Sequence, residues 1–126
     1  MLPKPTDAEL TVLRVLWDRG PSTVRQVFDE VAKVRDIGYT TVLKVLQIMT
    51  EKGLVTRDEA ARQHVYAPAL AEDQTQRHLL QDLMDKAFRG SAAQLVMQAL
   101  ATQPSSAEEL AEIRRMLDAA ERGDRS

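Results

Sequence analysis

The chain contains no cysteine. Disulfides, thiolate metal sites and cysteine nucleophiles are thereby excluded together. Aromatic residues make up only 4% of a sequence that is 44% hydrophobic, so its core is expected to be aliphatic. No apolar run approaches the roughly 20 residues that a membrane-spanning helix needs. The opening MLPKPTDAELTV also lacks the basic, apolar and small-residue order of a secretory signal. A cytoplasmic chain without membrane insertion is the expectation. The only histidines, His64 and His78, are not spaced as a metal-ligand pair. Asp58-Glu59 and Glu108-Glu109 are adjacent carboxylates with no nucleophile, glycine-rich phosphate loop or metal set beside them. Neither an enzyme nor a cofactor is expected.

The 126 residues suit one ordinary domain or two very small ones. A formal net charge of −2 argues against indiscriminate binding to nucleic acid. The charge is unevenly spread, however. Residues 1–68 carry ten Lys/Arg against nine Asp/Glu, and residues 69–126 carry seven against ten. The slight positive excess lies in the front half, the direction that a nucleic-acid surface there requires.

The first predicted helix runs from about Asp7 to Arg19, with Thr6 and Glu9 at capping-box spacing and Arg19-Gly20-Pro21 as its stop. Ser22 or Thr23 caps a second helix that continues to about Val34, with Val24, Val27, Phe28 and Val31 at helical spacing. The third helix spans about Tyr39 or Thr40 to Lys52 and ends at Gly53, a residue suited to the left-handed conformation after a last turn. Short β-branched and aromatic segments at Leu54–Ala60 and His64–Pro68 read as a hairpin. Beyond Pro68 the chain returns to helix over about Glu72–Arg89, from Ser91 to about Ala101, and after a cap at Ser105 or Ser106.

Three helices followed by a hairpin is the order of a winged helix, whose third helix enters the major groove while the hairpin rides the backbone. The third helix passes the corresponding test. Val42, Val45, Leu46 and Met49 form one stripe for packing. Thr40, Leu43, Lys44 and Gln47 lie on the other side, at i, i+3, i+4 and i+7. A hydroxyl and an amide can hydrogen-bond base edges, Leu43 can meet a thymine methyl, and Lys44 can reach a guanine or a phosphate. Thr41, near the helix start, can offer its hydroxyl to a phosphate. Arg25, Lys52, Arg57, Arg62 and His64 are candidate phosphate contacts on the flanks. Ile48 fits neither stripe; it either touches the wing or completes the core. A surface helix of any kind also carries polar residues opposite its core stripe. A winged-helix protein-interaction module without DNA binding is therefore the competing reading.

The tail helices expose an apolar set that a unit this small covers poorly alone. Leu79, Leu80, Leu83, Met84 and Phe88 lie on the first of them, Leu95 and Val96 on the second, and Leu110, Ile113 and Leu117 on the last. Either this half folds back on the front half, or a second copy covers it in a two-fold homodimer, the favoured alternative. The expected architecture is thus mainly α with a small β-hairpin: an N-terminal winged helix-turn-helix over residues 1–70 and a C-terminal helical dimerisation domain over 71–126.

These segments carry a resemblance. LTVLRVLWDRGPSTVRQVFDEV, YTTVLKVLQIMTEKGLV, HVYAP, FRGSAAQLV and ELAEIRRML, in this order and spacing, resemble the BlaI/MecI/CopY penicillinase-repressor family of bacterial winged-helix regulators. The resemblance spans nearly the whole chain. It implies a dimeric repressor on an inverted-repeat operator in double-stranded DNA, with Thr40, Thr41 and Lys44 facing DNA and Arg57 and Arg62 on the wing. It also implies a membrane-bound sensor with a metalloprotease domain, commonly responding to β-lactams, whose activation leads to repressor cleavage in the short tail helix. The family's usual cleaved pair is asparagine followed by phenylalanine. The matching positions here read Gln98-Ala99, which separates this chain from that circuit or implies a different site specificity. The absence of cysteine excludes the family's copper-sensing branch.

Overall fold

In the computed structural model of the chain, residues 4–123 are described. Helix α1 (Asp7–Arg19) begins at a complete capping box. The Thr6 hydroxyl accepts from the Glu9 N–H at 3.2 Å, and the Glu9 carboxylate accepts from the Thr6 N–H at 2.8 Å. Gly20 ends the helix at φ 92°, a conformation that a side chain would strain. A second capping box, Thr23 with Gln26, starts α2 (Val24–Val31).

Helix α2 stops about one turn before the expected Val34. At Lys33 and Val34 the backbone bonds tighten to the third residue back, Glu30 and Val31, and the chain turns away. Val34, 73% exposed, has no core to face beyond that turn. Helix α3 (Tyr39–Lys52) ends as expected at Gly53, in the left-handed region at φ 81°.

The hairpin consists of β2 (Val55–Asp58) and β3 (Val65–Pro68), both shorter than expected. Pairing ends at Asp58 opposite Val65 because the Asp58 carboxylate turns to accept the Ala60 N–H at 2.9 Å. A strand not expected from sequence, β1 (Ser22–Thr23), pairs antiparallel with the other side of β3. The sheet order is β1-β3-β2. Tyr66, on the central strand, sits between Ser22 and Arg57 and is fully buried.

The core draws Val12, Leu13 and Leu16 from α1, Val24, Val27 and Val31 from α2, and Val42, Leu46 and Met49 from α3. Leu54, Val55 and Tyr66 close it from the sheet side, so the expected aliphatic core contains one aromatic ring. Val45 is only half-buried, and Ile48, 36% exposed, does not complete the core. The Trp17 indole N–H donates to the Leu70 carbonyl at 2.9 Å, tying the segment after the sheet back to α1.

The chain divides into two compact units, Met1–Gln81 and Asp82–Ser126, with the division inside α4 (Glu72–Ala87). Helix α4 ends two residues before the expected Arg89, which itself adopts φ 53° ahead of Gly90 at φ 76°. Ser91 caps α5 (Ala92–Thr102), and Ser106, rather than Ser105, forms the capping box with Glu109 that starts α6 (Ala107–Glu121). Neither α5 nor α6 buries any of its residues.

One ion pair joins the start of α1 to the end of α3. Glu9, 3% exposed, receives the Lys52 ammonium on both carboxylate oxygens, at 3.0 and 2.9 Å. Burial opposes its ionisation, but the Thr6 N–H and the Lys52 ammonium outweigh burial and hold the carboxyl below its ordinary value of 4.5. Glu9→Gln should therefore destabilise the fold by about 1–3 kcal/mol at neutral pH. Denaturant unfolding followed through Trp17, the single tryptophan, measures it. Because the folded-state pKa is depressed, this stabilisation is present above the unfolded carboxylate's pKa and is lost as pH falls through the folded one. The stability gap between wild type and variant should accordingly close on acidification below about pH 4.5.

Candidate nucleic-acid interface

The burial of α3 is one-sided. Val42, Leu46 and Met49, at i, i+4 and i+7, are completely buried. Thr40, Lys44 and Gln47 repeat the same spacing on the exposed side, and Thr41 is exposed beside them. No side chain caps the start of α3, where Gly38 is the N-cap. Its first amides therefore keep the positive end of the helix open beside Thr40 and Thr41. Lys44 has no ion-pair partner among the described residues.

Leu43 is half-buried and does not stand out with the polar row. It lines a concavity of about 200 Å³ shared with Thr23, Val24 and Arg25 of the β1–α2 segment, Tyr39 of α3, and Arg62, Gln63, His64 and Tyr66 of the wing. Four of the sequence candidates, Arg25, Leu43, Arg62 and His64, thus meet in one place. The Arg25 guanidinium lies over two rings, 5.8 Å from the centroid of Phe28 and 5.9 Å from that of Tyr39. The rings pack edge-to-face at 5.8 Å, and the exposed Asp29 carboxylate is 3.7 Å from Arg25. Each of these exposed contacts is weak by itself, and together they hold Arg25 beside the start of α3.

Across the concavity, the wing carries its cations in two states. An Arg57 guanidinium nitrogen lies 2.9 Å from a Glu59 carboxylate oxygen, an ion pair, and the His64 Nε2 lies 3.7 Å from the same oxygen. Arg62 has no ion-pair partner among the described residues. Lys52 departs from expectation: its ammonium is drawn to Glu9, 43 residues away in sequence, and not to the α3 surface. A buried carboxylate attracts it more strongly than open solvent does.

Nothing in the sequence marks Tyr39, Gln63 or Glu59 as part of this surface. Tyr39 reads from sequence as the first residue of a helix, and its pairing with Arg25 and Phe28 exists only once α2 and α3 cross. Gln63 reads from sequence as a loop residue and Glu59 as part of the first strand of the hairpin, but β2 ends at Asp58 and leaves Glu59 in the turn. Among the described residues no group of three or more His, Cys, Asp or Glu could hold a metal ion, and no helix is long and apolar enough to cross a membrane.

The apolar positions singled out on the tail helices are incompletely covered. Leu79, Met84, Phe88, Leu95, Leu110 and Ile113 are half-buried. Leu80, Leu83, Val96 and Leu117 are 40–53% exposed, and Met97, Leu100 and Met116 are exposed as well. Gln98 and Ala99 are both exposed in the second half of α5, and the Gln98 carbonyl accepts the Thr102 hydroxyl at 2.7 Å.

Three helices, a three-stranded sheet and a solvent-facing polar row on the third helix define a winged-helix protein. The chain belongs to the penicillinase repressor family, whose sequence model matches residues 5–119. It is 37% identical over 92 residues to the transcriptional regulator BlaI of Mycobacterium tuberculosis, covering 72% of this chain and 67% of that protein. It is 24% identical over 117 residues to the penicillinase repressor of Bacillus licheniformis, covering 93% and 91% respectively. Among solved structures, it is similar to the monomeric form of B. licheniformis BlaI in complex with the blaP half-operator. That match has a TM-score of 0.51 and 27% identity, and covers 58% of this chain and 89% of the other.

Proposed function

We propose that this chain is a sequence-specific DNA-binding repressor that acts as a homodimer on an inverted-repeat operator. The observation that carries the proposal is the two-sided character of α3, with Val42, Leu46 and Met49 sealed in the core and Thr40, Lys44 and Gln47 presented outward. In this reading α3 lies in the major groove, Thr40, Lys44 and Gln47 meet base edges, and Thr41 and the uncapped amides meet a phosphate. Arg25 and Arg62 flank the groove from the two sides of the concavity. Leu43 contributes apolar contact from its floor, and Lys52 is left to its structural partner. Similarity to a repressor solved with a half-operator supports this use of the fold.

The dimer rests on α4 to α6. Leu83, Met97, Leu100, Met116 and Leu117 leave a large apolar surface uncovered in the second unit, and a second copy covers it most economically. Two linked α3 helices then engage two half-sites about one DNA turn apart, and splitting the dimer loses the gain in effective concentration. Release by a sensor metalloprotease acting at Gln98-Ala99 requires α5 to open, because those residues are held in helix. The competing reading, an interaction module that does not bind DNA, draws on the wing, where Glu59 occupies Arg57.

A gel-shift titration against genomic fragments, repeated over a salt series, separates the two readings, since phosphate contacts impose a steep salt dependence. Lys44→Ala should weaken binding to the retained fragment roughly tenfold and leave the oligomeric state unchanged. Equal affinity for variant and wild type throughout the salt series would remove α3 from the interface. Leu83→Glu should shift the protein toward monomer in sedimentation velocity and weaken DNA binding in consequence. A dimer of unaltered strength would place Leu83 outside the contact.

A further inference from the structure

The wing contains an arrangement that the repressor reading leaves unused. Arg57, on β2, lies opposite Tyr66 on β3, and His64 precedes Tyr66 by two residues. Cross-strand partners share a sheet face, so Arg57 and Tyr66 belong to the same face, and Tyr66 lines the concavity with α3 together with His64, which lies just before β3. Glu59 stands at the edge of this face. One of its carboxylate oxygens is 2.9 Å from an Arg57 guanidinium nitrogen and 3.7 Å from His64 Nε2. The turn that places Glu59 is fixed by its neighbour, since Asp58 accepts the Ala60 N–H at 2.9 Å.

We infer that Glu59 is a positioning residue that withholds Arg57 from the DNA backbone and so holds down the protein's sequence-independent affinity for DNA. The inference rests on the DNA-binding reading above. A phosphate approaching the wing must displace the Glu59 carboxylate from Arg57 or accept a like charge beside it, and both weaken the contact. Non-specific binding is supplied almost entirely by such phosphate contacts. A carboxylate that occupies one wing cation therefore lowers binding to every sequence, and it leaves α3 to supply the discrimination. Arg62 on the same wing, which has no ion-pair partner among the described residues, remains available to DNA, so the wing is restrained and not silenced.

The test compares wild type, Glu59→Gln, Arg57→Gln and the double variant. Each is titrated against the duplex that wild type selects from a random pool and against a scrambled duplex of the same composition, over a salt series. Glu59 is an exposed wing residue, so its replacement should leave thermal unfolding unchanged. Glu59→Gln is expected to tighten binding to both duplexes by a similar factor, roughly fivefold at low salt. It should also steepen the slope of log K against log salt by about one, the increment for one added phosphate contact. The gain should vanish in the Arg57→Gln background. A slope that does not change, a gain confined to the selected duplex, or a gain that survives without Arg57 would each overturn the role given to Glu59. Failure of wild type and variants alike to bind either duplex would instead overturn the DNA-binding reading itself, and this inference with it.

Discussion

The burial of one face of α3 is the constraint on which the remainder of the first unit depends. Val42, Leu46 and Met49 are completely buried, and each such side chain contributes about 1.5–3 kcal/mol when withdrawn from water. Rotating the helix to present any other face would expose that row. With the rotation set, Thr40, Lys44 and Gln47 face solvent without further adjustment. The core thus fixes the candidate reading surface, although none of the surface residues belongs to the core.

Charge is used in two ways around this helix. At its C-terminal end, Lys52 neutralises a buried carboxylate and ties α3 to the capping box of α1. At its N-terminal end and along the wing, cations remain near solvent, where Arg25 lies over two rings and beside Asp29 and Arg57 is paired with Glu59. Lysines and arginines of similar appearance in sequence therefore do different work. The protein carries a formal charge of −2 and still concentrates Arg25, Arg62 and His64 around one concavity. Local placement, and not total charge, makes this a candidate DNA surface.

The helices of the first unit were legible because their signals are local. Thr6 with Glu9, Gly20 and Gly53 mark boundaries through bonds and dihedrals within a few residues. Strand β1 was not legible, since two residues carry no periodicity and Ser22-Thr23 becomes a strand only when β3 lies beside it. Helix α2 ends at Val31, short of the expected Val34, for a related reason. Val34 continues the apolar spacing, but the chain must already be turning toward α3. In the candidate site, the polar row of α3 followed from helical spacing, whereas Tyr39, Glu59 and the diversion of Lys52 depend on residues brought together from distant segments.

By itself, the sequence determined the order of elements, the caps, the apolar stripe of α3 and the family, because each is encoded in spacing along the chain. Tertiary structure alone decided the third strand, the exposure of Ile48, the half-buried position of Leu43 and the pairing of each wing cation. Those outcomes turn on distances through space, where a carboxylate 43 residues away can compete for a lysine more effectively than the solvent around it.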